Sequence, residues 1–212
     1  MNVPETLPAQ LFLLAYDPRK KRIAGGMYFP YLIRAAALTE LLFTGRIADE
    51  SGKPCVVEHA RPVDDPVLAG ILRQIEESKP RSWQHWIRKD GKATVKAVRD
   101  ELEAGRWIKV ELQRPFLIFS RTLIHVRDPR VVKRLAAEVT TALTAPLSRV
   151  EDREAALVTL AAAADLGTVL PRKRRRAHKE RIAALQERGG PAAPALRKVV
   201  QAMQAATASA AG

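Results

Sequence analysis

Arg34 is the residue whose type and position point most directly to chemistry. It lies near the start of the apolar stretch YLIRAAALTELLFTGRI, residues 31–47. A guanidinium can hold a phosphate through two parallel N–H···O bonds, and a helix amino terminus favours a bound anion because its free N–H groups carry partial positive charge. The sequence therefore predicts either an arginine that binds an anion or a surface ion pair with a carboxylate such as Glu40.

Basic residues are the second chemical signal, and they are unevenly distributed. The 212-residue chain has a formal net charge of +13. Residues 19–22 form one basic run, and residues 172–198 contain ten basic residues against two acidic ones, which contributes +8. Such segments are typical of proteins that bind nucleic acid, anionic membranes or acidic partners, although a basic run can also simply solvate the start of a helix. Charge alone does not discriminate between these partners.

Catalytic and metal-binding patterns are absent from the sequence. The histidines at positions 59, 85, 125 and 178 do not have the spacing of metal ligands, and the single cysteine, Cys55, excludes an intrachain disulfide and a C-x-x-C site. No phosphate-binding glycine loop, dinucleotide fingerprint or serine nucleophile motif occurs. The sequence therefore predicts a protein that is not an enzyme and has no metal and no cofactor.

The elements that must position Arg34 are mostly helices. Asp-Pro pairs at residues 65–66 and 128–129 predict helix starts, Pro30 suits the first turn of the Arg34 helix, and Gly45 suits its carboxyl-terminal end. Residues 17–26 are expected to form a loop, 94–104 a helix ending at Gly105, and 107–126 a β-hairpin broken at Gln113-Arg114-Pro115. Further helices are expected near residues 129–143, 157–166, 173–187 and 195–207. The fold class is mainly α, a compact helical bundle with a short β-hairpin in one domain spanning residues 1–212.

Four blocks in order resemble the Golgi phosphoprotein 3 family. They are LIRAAALTELLFTGRI, WQHWIRK at residues 83–89, ELEAGRWIKVE followed by FLIF, and DREAALVTLAAAADLGTVL at residues 152–170. The resemblance covers about residues 8–207. It implies a peripheral membrane protein that recognises an anionic phospholipid headgroup, phosphatidylinositol 4-phosphate, in a basic pocket. It also implies self-association through the hairpin, for which Phe116, Leu117 and Phe119 are the candidate contacts.

The family's headgroup pocket maps onto this chain only in part. The helix arginine falls on Arg34, the tryptophan position falls on Gly25, and the two arginine positions fall on Gly91 and Thr94. Tyr28 is the aromatic residue nearest to the tryptophan position. The remaining headgroup candidates are Lys92, Lys96 and Arg99, which share helical spacing, although they would also suit a solvated helix face. Met27 and Phe29 are expected to enter the membrane interface together with Tyr28.

Localisation follows from the same features. The apolar run at residues 11–16 is too short to span a bilayer and has no basic region before it, so we expect a cytoplasmic protein at the cytoplasmic face of a membrane. The chain begins close to the folded domain, so we expect the family's basic amino-terminal tail, and the Golgi trafficking role attached to it, to be absent. The alanine- and arginine-rich composition resembles that of a bacterial relative.

A winged-helix nucleic-acid-binding protein is the alternative interpretation. Three helices followed by a hairpin in a strongly basic chain fit that class, with the basic residues between 88 and 99 on the third helix and Arg121 and Arg127 near the wing. The predicted recognition helix offers phosphate contacts and few base-reading side chains. A scaffold that acts only through protein contacts is a third possibility. Trp83 and Trp86, three residues apart, are expected to be core residues of a helix.

Overall fold

Helices form most of the molecule. The computed structural model describes residues 2–59, 61–116 and 119–210, except for the side chains of residues 113–121. Over this part of the chain the helices are α1 (Leu7–Leu14), α2 (Phe29–Phe43), α3 (Pro66–Glu76), α4 (Trp83–Arg88), α5 (Gly91–Ala104), α6 (Pro129–Thr144), α7 (Asp152–Ala163), α8 (Arg172–Ala177), α9 (Lys179–Gln186) and α10 (Ala192–Ser209). The mainly α fold predicted from the sequence is confirmed.

Helix α2 lies at the centre of the core. Residues 32–41 are buried without interruption, and α1, α3, α4, α5, α7 and α10 all pack against this helix. Its alanines at positions 35–37 are fully buried and permit close approach of these neighbours. Trp83 and Trp86 of α4 are core residues, as the sequence predicts. Because α2 is enclosed, every polar side chain on its buried length needs an internal partner.

The helix ends follow local signals in the sequence. The Asp65 carboxylate accepts the N–H of Leu68 at 2.8 Å, which caps α3 as predicted. Gly45 has φ of 66° after the end of α2, and the N–H groups of Gly45 and Arg46 return to the carbonyls of Leu42 and Leu41. Only a residue tolerant of the left-handed region suits this position, so Gly45 ends the helix as predicted.

Other boundaries differ from the predictions. Helix α5 begins at Gly91, three residues earlier than expected, and after Gly105 it is Arg106 that takes the left-handed conformation, with φ of 59°. The helix expected over residues 173–187 is divided at His178 into α8 and α9. These differences reflect tertiary contacts, since local propensity does not distinguish one continuous helix from two short ones.

The strands form three separate antiparallel hairpins in the described chain. They are β1 (Tyr16–Asp17) with β2 (Arg22–Ile23), β3 (Ile47–Glu50) with β4 (Lys53–Val56), and β5 (Ile108–Phe116) with β6 (Phe119–Val126). The third hairpin is confirmed, whereas the first occupies the segment expected to be a loop. Gln113-Arg114-Pro115 does not end β5; it lies at a shift of register between Gln113 and Phe116.

A buried ion pair joins the central helix to α1 and α7. Glu40 of α2 is 4% exposed, and its carboxylate accepts the N–H of Leu7 at 2.7 Å and two N–H groups of Arg153 at 2.7 and 2.9 Å. Leu7 is the first residue of α1, where the N–H has no partner within the helix. Arg153 also donates to the carbonyl of Glu5. One carboxylate therefore fixes the start of α1 against α2 and α7.

Replacing Glu40 by alanine should lower the free energy of unfolding by about 3–5 kcal/mol, because it leaves a half-buried guanidinium without its carboxylate and a helix N–H without its acceptor. Glu40→Gln should cost less, since the amide oxygen still accepts the N–H of Leu7. Urea denaturation would measure both. Glu138→Ala, which removes a surface pair with Arg134, is the control and should change stability by no more than about 0.5 kcal/mol. An equal effect of Glu40→Ala and Glu138→Ala would contradict the central role of Glu40.

Candidate anion-binding site

Arg34 joins four helices from inside the core. Its side chain is 1% exposed. Nε donates to the carbonyl of Trp86 on α4 at 3.0 Å, Nη1 to the hydroxyl of Thr94 on α5 at 3.2 Å, and Nη2 to Oε1 of Gln74 on α3 at 2.6 Å. The three directions of the guanidinium fork match three separate acceptors, which a lysine ammonium could not satisfy in the same way.

The charge of Arg34 is retained although the side chain is buried. Removal from water lowers the pKa of Arg34 to about 10, and the nearby Asp90 carboxylate opposes this effect. The guanidinium is therefore protonated at neutral pH. Asp90 lies between α4 and α5 in the left-handed conformation, with φ of 52°, and accepts a hydrogen bond from Gln74 Nε2 at 3.3 Å.

These contacts correct both expectations for Arg34. The predicted surface ion pair with Glu40 is wrong, since Glu40 pairs with Arg153 and Arg34 is not at the surface. The expected direct phosphate contact also differs from what the structure has, because protein acceptors hold the guanidinium. In this conformation Arg34 supports the site from beneath its surface.

A cleft of about 460 Å³ opens beside Arg34 and its partners. It lies between the start of α2 and the junction of α4 with α5, and its lining residues are Met27, Pro30, Tyr31, Arg88, Asp90, Gly91, Lys92 and Ala93. Arg88 and Lys92 are exposed cations, and Tyr31 contributes a half-buried ring. The cleft thus combines two cations, one carboxylate and an aromatic side chain.

The packing leaves little room for a side chain at residue 91. A Cβ on Gly91 would lie 3.0 Å from both the Cβ and the carbonyl oxygen of Pro30. Helix α5 therefore begins in direct contact with the first turn of α2. The family resemblance places an arginine at this position, whereas the cations that line the cleft are Arg88 and Lys92.

Only one of the three cations predicted on α5 reaches the cleft. Lys92 lines it, whereas Lys96 and Arg99 do not. Both of these side chains pair with Asp100, at 3.0 Å from Lys96 and 2.7 Å from Arg99. The grouping of Lys92, Lys96 and Arg99 as one headgroup site is thus corrected, because the latter two are engaged further along the helix.

The apolar and aromatic candidates also separate. Met27 is 55% exposed and lines the cleft, so its entry into a membrane interface stays a prediction. Phe29 is 6% exposed and packs edge-on against Phe12, with 5.6 Å between the ring centroids. Phe29 is therefore a core residue, which corrects its expected insertion into the membrane interface. Tyr28 packs partly against the core and does not line the cleft. Tyr31 is the aromatic residue that lines the cleft.

Tyr31 and Arg88 were not among the residues that the sequence singled out for the site. Tyr31 lies one helical turn after Met27, and Arg88 ends the short α4 helix, directly after the buried Trp86 and Ile87. The spacing from Met27 was therefore a usable signal for Tyr31. The approach of Arg88 to α2 depends on contacts between distant segments.

The candidate self-association residues of the third hairpin lie largely outside the described part of the chain. Leu117 is outside the described residues, and the side chains of Phe116 and Phe119 are as well. The backbones of Phe116 and Phe119 pair across the hairpin, and Leu112 on β5 is 55% exposed. Self-association through the hairpin stays a prediction.

A second depression, of about 660 Å³, lies between the amino-terminal segment and the end of α5, and Glu101 and Trp107 are among its lining residues. Burial and the adjacent Asp65 carboxylate raise the pKa of Glu101 to about 7. Its Oε1 atom is buried and has no hydrogen-bond partner in the described part of the chain. Glu101 is thus a poorly compensated carboxylate above neutral pH.

Arg34→Lys should lower the free energy of unfolding by at least about 2 kcal/mol, because one ammonium cannot satisfy acceptors on three helices. Urea denaturation would measure the loss. The exposed Arg88→Lys is the matched control and should change stability by no more than about 0.5 kcal/mol. An Arg34→Lys protein as stable as the wild type would show that the three hydrogen bonds are not needed.

Glu101→Gln should stabilise the protein at pH 8 and have little effect at pH 5. Between about pH 4.5 and 7 the folded protein keeps the Glu101 proton while the unfolded chain releases it, so the wild type loses stability as the pH rises through this window. Glutamine removes this loss. Urea midpoints of both proteins at the two pH values would measure the effect, and an equal difference at pH 5 and pH 8 would contradict it.

Comparison with known proteins places the fold in a family. The family model described as Golgi phosphoprotein 3 (GPP34) matches residues 7–203, and no curated protein matches the sequence significantly. Among the described helices, none has both the length and the apolar character needed to cross a membrane. The match gives no support to a winged-helix domain, and the bacterial source stays a prediction. Since the match extends over nearly the whole sequence, the chain belongs to the Golgi phosphoprotein 3 (GPP34) family.

Proposed function

We propose that this protein is a peripheral membrane protein that binds an anionic phospholipid headgroup, of the phosphatidylinositol 4-phosphate type, in the cleft between α2 and the α4–α5 junction. The observation that carries the proposal is a convergence of positions. The resemblance assigns residues 34, 91 and 94 to the headgroup pocket, and these lie together: Arg34 donates to the Thr94 hydroxyl on α5, and Gly91, the first residue of α5, lines the cleft.

Arg88 and Lys92 are the phosphate-binding residues in this proposal. Both are exposed at the cleft, and charge-assisted hydrogen bonds to phosphate are stronger than neutral ones. The Arg34 guanidinium lies behind them and offsets the Asp90 carboxylate, which would otherwise repel the ligand. Because Arg88 supplies a single guanidinium fork, we expect discrimination between phosphoinositides to be weaker than at a site with several arginines.

Tyr31 and Met27 give the cleft its membrane-facing character. Tyr31 presents an apolar ring with a polar end, a combination that suits the level of lipid headgroups. Met27, more than half exposed, is placed to enter the interface next to a bound headgroup. Together these residues support binding at a membrane surface, which we assign to a cytoplasmic face and to a protein without a catalytic step.

The double variant Arg88→Gln/Lys92→Gln tests the proposal. It should weaken binding to vesicles containing phosphatidylinositol 4-phosphate at least tenfold, since two phosphate contacts are lost. Lys96→Gln/Arg99→Gln removes the same charge from cations paired with Asp100 and is the matched control, with an expected change of less than twofold. Co-sedimentation at 150 mM salt, with phosphatidylserine vesicles of equal charge for comparison, provides the measurement.

The outcomes separate a headgroup site from a general basic surface. Equal losses in the two double variants would mean that net charge alone controls binding, and the cleft would have no special role. Absence of vesicle binding by the wild type would overturn the proposal. The wild type could instead bind duplex DNA more tightly than vesicles, and both double variants could lose this DNA binding. That result would favour the nucleic-acid alternative.

A further inference from the structure

Two basic runs that are 150 residues apart in the sequence lie beside the same pocket. A shallow pocket of about 690 Å³ is lined by Arg19 from the β1–β2 turn and by Pro171, the residue directly before α8. The Thr168 hydroxyl donates to the carbonyl of Leu14 at 2.7 Å, and the N–H of Ala24 donates to the carbonyl of Ala15 at 2.7 Å. These bonds fix both segments against the end of α1.

We define the basic surface as residues 19–22 together with residues 172–176. It contains nine basic residues, and its acidic neighbours Asp17 and Asp165 leave +7 of the total +13 there. Arg175 is engaged in the fold, since it pairs with Asp165 at 2.7 Å and donates to the carbonyl of Leu170. Residues 19–22 are exposed, as are Arg172, Lys173 and Arg176.

The basic surface is close to the proposed headgroup cleft. Ala24 lines the pocket at the basic surface, and Met27 lines the cleft. Three residues of chain span at most about 11 Å even when fully extended, so both features lie along the same short segment. Such proximity is required for one bilayer to contact the two at once.

We propose that the basic surface is a second membrane contact, which binds anionic phospholipids around the lipid held in the cleft. This inference rests on the proposed function, because the cleft supplies the first contact. A bilayer fits better than an isolated anion, since seven of the nine arginine and lysine residues of the basic surface are exposed and would meet many headgroups at once. Two contacts on one rigid body raise the overall affinity, because the second binds at high effective concentration.

The test removes charge from the basic surface without touching the cleft. Arg172→Gln/Lys173→Gln/Arg176→Gln should weaken binding to phosphatidylserine vesicles at least tenfold while leaving the affinity for soluble inositol 1,4-bisphosphate within twofold. Lys53→Gln/Arg61→Gln/Lys79→Gln removes the same charge from other exposed positions and should have less than a threefold effect. Far-UV circular dichroism would verify that both triple variants are folded.

Direct contact can be distinguished from long-range attraction by a reporter. Cys55→Ser removes the one native thiol, and a fluorophore on Lys173→Cys should be quenched by lipids that carry a nitroxide on the headgroup. The same fluorophore on Lys79→Cys is the control and should remain unquenched. Equal quenching at both positions, or at neither, would overturn the proposed contact.

The inference and the proposed function fail in different ways. One outcome combines loss of phosphatidylserine binding in the basic-surface variant with a wild type that does not bind the soluble headgroup. That outcome would support the membrane contact at the basic surface and reject the cleft as a headgroup site. Headgroup binding with unchanged vesicle affinity in the variant would retain the cleft and overturn the second contact. Duplex DNA binding that is lost in the variant while vesicle binding is unchanged would also overturn it.

Discussion

The buried Arg34 guanidinium is the constraint on which the candidate site depends. Transfer of a charged side chain into the core is unfavourable unless its N–H groups find acceptors, and here a carbonyl, a hydroxyl and an amide oxygen from three different helices supply them. Because α4 and α5 are both held by this one side chain, the junction between them has a fixed position against α2. Arg88 and Lys92 lie on either side of that junction.

Much of the fold could be predicted because its signals are local. Asp65 begins α3 and Gly45 ends α2 through hydrogen bonds to residues a few positions away. The third hairpin follows from a dense run of β-branched and aromatic residues. The first hairpin could not be predicted in the same way. Its turn is held in part by the N–H of Ile124, which donates to the carbonyl of Lys21 from a strand about a hundred residues away.

The candidate site was less accessible to sequence reasoning than the fold. The partners of Arg34 lie 40, 52 and 60 residues further along the chain, so its burial could not be inferred from its neighbours in sequence. A count of basic residues also overstates the charge available to a ligand. In the carboxyl-terminal region Arg181 donates to the last carbonyls of α6, and Arg188 pairs with Asp152. These arginines stabilise the fold, and the free charge is concentrated elsewhere.

The contact between Gly91 and Pro30 constrains how the cleft can evolve. A single codon change that placed arginine at residue 91 would bring a Cβ to within 3.0 Å of the Pro30 backbone, so it would disturb the packing of α5 on α2 before any new cation could act. Substitution at position 91 is therefore epistatic with the backbone around position 30. Arg88 and Lys92 supply two cations to the cleft without requiring a side chain at position 91.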